Sequence, residues 1–220
     1  MSTLEQFEVR GSNHDVGFAI GERFARQIHK GLDNYPFLQK QILPYHQTAE
    51  GQARFQELLA LHRARYPDYV AELEGMAQGA GRSFQDLFLV NQRGEYTGYL
   101  RGPAPGCFDC ALVTNDVALI GHNEDGSPAF RDNMYLVQAR VGDKPAFTAL
   151  LYPGFLPGNA FGFNAAGICF SADNVQPRRT RVGVGRHFLA RSLLEARSLD
   201  DAIERVTAPG RASGFGYTIG

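Results

Sequence analysis

The stretch Arg101-Gly102-Pro103-Ala104-Pro105-Gly106 constrains this chain more than any other. Prolines and glycines at this density can neither continue a helix nor sit inside a central strand. The chain must therefore be built differently on its two sides. Upstream, residues 12 to 98 read as helical. Val16, Ala19, Ile20, Phe24 and Ile28 recur near the helical period, with Ser12 or Asn13 as the cap. Phe55, Leu58, Leu59 and Leu61 mark a second helix, and Pro67 opens a third that ends on glycines. Ser83 and Asp86 form a capping box for a fourth, written as one run through Tyr99.

Downstream the apolar runs are short. "CALVT" and "VALIGHN" flank Asn115-Asp116, a hairpin signal. "MYLVQARVG", "PAFTALLYPG", "NAFGFN" and "GICFSADN" predict further strands. "GRHFLARSLLEARS" and "SLDDAIERVTA" predict helices, the second capped by Ser198. The order helices, strands, helices predicts an α+β fold in layers. The final "SGFGYTIG" reads as a strand just begun, so truncation at the C-terminus is expected.

The formal net charge of -1 offers no basic footprint for nucleic acid or an anionic membrane. No apolar run reaches the length of a spanning helix, and "MSTLEQFEVRGSNHD" lacks the layout of a secretory signal. Three cysteines, Cys107, Cys110 and Cys169, do not suggest a disulfide framework; a cytoplasmic setting is expected.

Two of those cysteines stand in "GCFDC", directly after the break. A closed structural zinc site needs four ligands, and only the isolated Cys169 remains to join them. A redox dithiol belongs at a helix N-terminus in a βαβ unit, whereas this pair enters a hairpin. A nucleophile is the third reading. Cleavage before a cysteine frees an α-amine with a pKa of about 8, able to act as its base. Gly106 and the linker before it suit such a cut. With the turn at Asn115-Asp116, paired residue numbers sum to 231, so Cys107 faces the neighbourhood of Glu124. Asp125 falls within the cross-strand reach of about 5–8 Å, with Asn123 on the same face as Asp125. Cys110 differs in parity from Cys107 and is expected as a buried spectator on the other face. Cys169 is expected in the core, and Arg93 with Glu95 as an ion pair steadying the helical segment. The basic run "QPRRTRVGVGR" reads as a solvated loop.

"GCFDCALVTNDVALIGHNED" resembles the nucleophile hairpin of the isopenicillin-N acyltransferase family, self-cleaving N-terminal-nucleophile hydrolases that include insect β-alanyl-dopamine hydrolases. Gly106-Cys107, then Gly121, Asn123 and Asp125, carry the likeness. "GFAIGERFA", "RYPDYVAELEGMAQGAGRSFQDLFLVNQRGEY", "GFNAAGICFSADNVQP" and "GVGRHFLARSLLEARSLDDAIERV" extend it over residues 10 to 220. The resemblance implies a four-layer αββα sandwich, with residues 1–106 as a helical pro-segment and 107–220 as the core. It implies cleavage between Gly106 and Cys107, with Cys107 as nucleophile and its new α-amine as base. Asp125 would orient the nucleophile and Asn174 would supply the oxyanion hole. His122 stands where related bile-salt hydrolases carry an arginine, and Phe108 where the family often has Thr or Ser. The implied partners are a small acyl-amide substrate and the chain's own cleaved pro-segment, with no metal or organic cofactor; a homo-oligomer is left open. Two rivals stand beside this reading. One is an inactive relative that binds a small ligand. The other is a cysteine–histidine hydrolase pairing Cys107 or Cys110 with His122 or His187, active without cleavage.

Overall fold

The computed structural model describes residues 4–100, 106–175, 181–212 and 215–220. The Pro/Gly stretch at 101–105 and the basic run at 176–180 lie outside the described residues. The chain is α+β. It opens with strand β1 (Glu5–Gly11), then α1 (Asn13–Arg23), α2 (Ala25–Asp33), a π-helical turn (Leu38–Ile42) and α3 (Leu43–His46). Next come α4 (Ala49–Arg65), α5 (Pro67–Ala80), α6 (Phe84–Asn91) and α7 (Arg93–Leu100). The hairpin strands β2 (Phe108–Val113) and β3 (Ala118–Asn123) follow. Then come β4 (Tyr135–Val141), β5 (Phe147–Leu151), β6 (Phe161–Asn164), β7 (Cys169–Asn174), α8 (Arg186–Leu193), α9 (Leu199–Thr207) and β8 (Phe215–Ile219). Among the described residues, no helix is long and apolar enough to cross a membrane.

The helix starts follow their caps. Ser12 accepts from the Asp15 N–H and Asp15 answers at the Ser12 backbone, a reciprocal capping box. Ser83 accepts from the Asp86 N–H, and Ser198 from the Asp201 N–H. Gly81 closes α5 with φ +61°, the left-handed turn that glycine adopts without strain. The run expected as one helix from Ser83 is two, α6 and α7, parted at Gln92 (φ -101°, ψ 9°). Helices α1 and α5 cross at backbone contact. A Cβ on Gly17 would lie 1.9 Å from the Glu72 carbonyl oxygen, and one on Gly75 would lie 2.1 Å from that of His14.

Among the described residues, six strands form one sheet in the order β1-β4-β5-β6-β7-β8; β1 runs parallel to β4 and the other pairs are antiparallel. Strand alternation sorts its faces. Phe7, Tyr135, Val137, Ala149, Gly162 and Phe170 share the face that packs on helices. Phe24 of α1 stacks on Tyr135 at 3.6 Å, and Asn164 on this face donates to the Leu194 and Ala196 carbonyls beyond α8. The fully buried Arg191 of α8 pairs with the fully buried Glu72 of α5, and Asn13 donates to the same carboxylate. This cluster ties three helices and both halves of the sequence together.

The opposite face carries Phe161, Phe163, Ser171 and Asp173. There β2 and β3 form a separate two-stranded sheet that touches β7 and β8. Its register is the expected one, with Phe108 opposite Asn123, Asp109 opposite His122 and Cys110 opposite Gly121. Thr114 closes the turn, accepting from the Asp116 and Val117 N–H groups. The hairpin's outer face leaves Phe108, Leu112 and Leu119 more than half exposed (64%, 55% and 57%).

Candidate active site

Paired residues of an antiparallel ladder share a face. Cys107, one residue before β2, continues the inward-facing row of Asp109; opposite them stand His122 and Glu124. That row meets Asp173 of β7, and the side chains form one cluster between the hairpin and the large sheet. The Cys107 thiol donates toward Glu124 Oε2, with Sγ and the oxygen 3.7 Å apart. His122 is held at both nitrogens: Nε2 is 2.7 Å from Glu124 Oε2 and Nδ1 is 2.6 Å from Asp109 Oδ1. Asp173 Oδ1 lies 3.9 Å from the same Nδ1. Tyr152 donates its hydroxyl to the second oxygen of Glu124. The side chains of His122 and Asp109 are only 6% and 7% exposed, so the centre of the cluster is fixed by packing.

The electrostatics follow from this crowding. Burial pushes the Cys107 thiol above its ordinary pKa; a backbone hydrogen bond from Asp125 opposes the shift, and the Glu124 and Asp173 charges add to it. Burial alone would lower His122. The hydrogen bonds to Glu124 and Asp109 outweigh it, and the net shift is upward. Asp173 is also raised, by burial and then by the Asp109 charge, with His122 opposing. Tyr152 is raised by burial and by the Glu124 charge.

The residues singled out in the sequence separate into two groups. Cys107 and His122 meet at Glu124. Gly106, exposed, precedes the thiol, and a Cβ there would meet nothing within 4 Å. Asp125 approaches the sulfur through its backbone N–H, while its residue is exposed. Asn123 is exposed and pairs with Phe108 on the outer face. Asn174 has the parity of the helix-facing row in β7, and its Oδ1 accepts from Arg186 Nη1 at 2.9 Å. His187 is buried in the helical layer, bonded to the Asn91 carbonyl and packed on Phe155.

Three expectations are corrected. Cys110 lies on the other face, as parity requires, but it is exposed, because nothing described covers that face. Cys169 is half-buried rather than core. Arg93 and Glu95 form no ion pair with each other. Two residues apart on a helix, they point to different sides. Arg93 sits over the Tyr152 and Phe155 rings and reaches Tyr35, while Glu95 accepts from the Arg186 N–H. Glu124 and Asp109 were missed as site residues, although the 231 register together with alternation places both beside Cys107 and His122.

A helix-backed sheet with a thiol-bearing hairpin on its open face makes this an α+β protein with a cysteine–histidine–carboxylate cluster between its two sheets. The chain belongs to the acyl-coenzyme A:6-aminopenicillanic acid acyl-transferase family, whose profile matches residues 112–220. It is similar to the β-alanyl-dopamine/carcinine hydrolase of Drosophila melanogaster, at 31% identity over 210 residues, covering 88% of this chain and 54% of that protein. It is also similar to the 40 kDa form of acyl-coenzyme A:6-aminopenicillanic-acid-acyltransferase of Emericella nidulans, at 26% identity over 206 residues, covering 91% of this chain and 56% of that protein. The chain thus spans about half the length of the curated relatives it matches.

Proposed function

We propose that this protein is a self-processing cysteine amidohydrolase or acyltransferase, acting on a linear amide through an acyl-enzyme on Cys107. The observation that carries the reading is the thiol itself. It follows an exposed glycine, faces a carboxylate at 3.7 Å and takes a backbone N–H on its sulfur. In the intact chain Cys107 has no free amine. Glu124 accepts the thiol proton, sulfur attacks the Gly106 carbonyl carbon, and the Gly106–Cys107 nitrogen leaves with a proton. Water then hydrolyses the thioester, leaving residues 1–106 and a second chain that begins at Cys107. From then on the α-amine is the base. It takes the thiol proton as sulfur attacks the substrate carbonyl and returns it to the leaving amine. Asp125 aligns the sulfur. Asn123 is assigned to the strand end and His122 to fixing Glu124; for Asn174, whose row faces the helices and whose Oδ1 accepts from Arg186, the oxyanion role would require the side chain to leave that partner. Water or an amine releases the acyl group.

The fold reading is the αββα sandwich. Helices, six-stranded sheet and hairpin supply three layers in order, and the apolar outer face of the hairpin is the seat of the rest. Burying Phe108, Leu112 and Leu119 there would contribute about 1.5–3 kcal/mol each. β-Alanyl amides and acyl-coenzyme A with 6-aminopenicillanic acid are the first substrates to offer, from the names of the relatives.

A second reading has its own observation. The His122, Cys107 and Glu124 donor atoms lie within 4.8 Å of one another, so an uncleaved cysteine–histidine hydrolase would have its pair in place. Intact-mass spectrometry of the denatured protein beside Cys107→Ala decides. Two fragments parting at Gly106–Cys107 in the wild type, and a whole variant, are expected. Amide hydrolysis by a chain that stays whole, lost on His122→Ala, would favour the second reading.

A further inference from the structure

We infer that Cys107, His122 and Glu124 form a divalent-metal site of zinc type, in which the bound ion holds the thiolate and silences it reversibly. Sγ, Nε2 and Oε2 lie within 4.8 Å of one another. Tetrahedral zinc, with bonds of about 2.0–2.3 Å, sets its ligand atoms about 3.4–3.6 Å apart. The sulfur–carboxylate separation of 3.7 Å already fits. The Nε2–Oε2 contact, 2.7 Å, must open to admit the ion.

The surroundings favour a cation independently of the three donors. Asp109 grips His122 Nδ1 at 2.6 Å, which turns Nε2 toward the ion. A carboxylate behind a ligating imidazole fixes its tautomer and raises its basicity. The buried oxygens Asp109 Oδ2 and Asp173 Oδ1 have no hydrogen-bond partner among the described residues, and the Asp109 side chain is more than nine-tenths buried. Negative charge is in excess here, and a dication would offset it. Thiolate, imidazole and one carboxylate select zinc over magnesium or calcium, which require oxygen ligands.

Binding displaces the thiol proton and the proton between His122 Nε2 and Glu124. The sulfur lone pair that would attack a carbonyl is then shared with the metal. The fourth position opens beside exposed Gly106 and takes water in the intact chain. This metal site does not require self-cleavage. Where cleavage occurs, as proposed above, the Cys107 α-amine and sulfur can chelate the same ion in a five-membered ring.

Cobalt(II) titration of the metal-free full chain tests the site. A thiolate-to-cobalt absorption band with tetrahedral visible bands is expected, saturating at one ion per chain and displaced by zinc. Asp109→Asn should weaken binding by about 10–100-fold, and Cys107→Ser should remove the thiolate band. Visible bands without the thiolate band would place the metal on Asp109, His122 and Asp173 and overturn the proposal. So would a thiolate band that survives Cys107→Ser. If that variant fails to fold, iodoacetamide labelling of the wild type decides. Zinc should slow alkylation of Cys107 and spare exposed Cys110; equal labelling with and without zinc overturns the site. Intact mass on the same samples reports cleavage separately, so failure of either idea is read by itself.

Discussion

Cys107 and Glu124 face each other one rung beyond the last paired residues of the hairpin, with the thiol aimed at Oε2 from 3.7 Å. In an intact chain this carboxylate is a base within hydrogen-bonding reach of the sulfur. Glu124→Gln keeps the shape and removes the basicity. The rate at which the fragment beginning at Cys107 appears should fall by about a hundredfold or more. Mass spectrometry over a time course reads it, and an unchanged rate would remove Glu124 from the processing step.

The Glu72–Arg191 pair is fully buried, and Arg191 lies between the Tyr69 and Phe147 rings at 4.8 Å from each. Removing Glu72 takes away the guanidinium's bidentate partner and leaves it, among the described residues, only Glu195, at 3.2 Å, at the helix surface. Glu72→Ala should cost about 3–5 kcal/mol in urea unfolding. A loss below about 1 kcal/mol would mean that water reaches the freed guanidinium.

At the crossing of α1 and α5 there is no room for a methyl group. Gly17→Ala and Gly75→Ala should each cost at least about 1–3 kcal/mol as the helices are forced apart. Gly106→Ala, where a Cβ meets nothing within 4 Å, serves as the comparison and should leave the unfolding midpoint in place.

His62 is buried and neutral. Its Nε2 accepts from the Gly185 N–H at 2.9 Å, and its Nδ1 donates to the Leu58 carbonyl at 2.7 Å. Burial lowers its pKa from 6.5 to about 4. The unfolded chain therefore takes up a proton that the folded chain refuses as pH falls from 6.5 toward 4. Stability should drop by about 2 kcal/mol between pH 7 and pH 5. Buried His187, also lowered, acts in the same direction. His122 has the opposite sign. Its raised pKa stabilises the folded state below 6.5, and that contribution is lost as pH rises through the folded value. A pH 7 to pH 5 drop in urea midpoint that is no smaller in His62→Gln than in the wild type would sink the assignment of a neutral His62.

Much of this was legible in the sequence because it is local. Ser12, Ser83 and Ser198 cap where short-range chemistry puts them, and Asn115-Asp116 sets the hairpin register within one turn. β1 is hard to read from the sequence, although Phe7 and Val9 alternate with Glu8 and Arg10. Its partner β4 is more than a hundred residues away, and a lone polar alternation has no visible mate. The Arg191–Glu72 pair is likewise a contact across 119 residues that no spacing reveals. Glu124 was within reach. The register places it opposite Cys107, whereas the family likeness runs through its neighbour Asp125.

The parallel pairing of β1 with β4 gives a cut after Gly106 an asymmetric history. β1 precedes the proposed break and β4 follows it, so the sheet would be stitched while the polypeptide is still continuous. Once severed and unfolded, the two pieces would have to find each other by diffusion. Renaturation would then slow on dilution, where first folding does not.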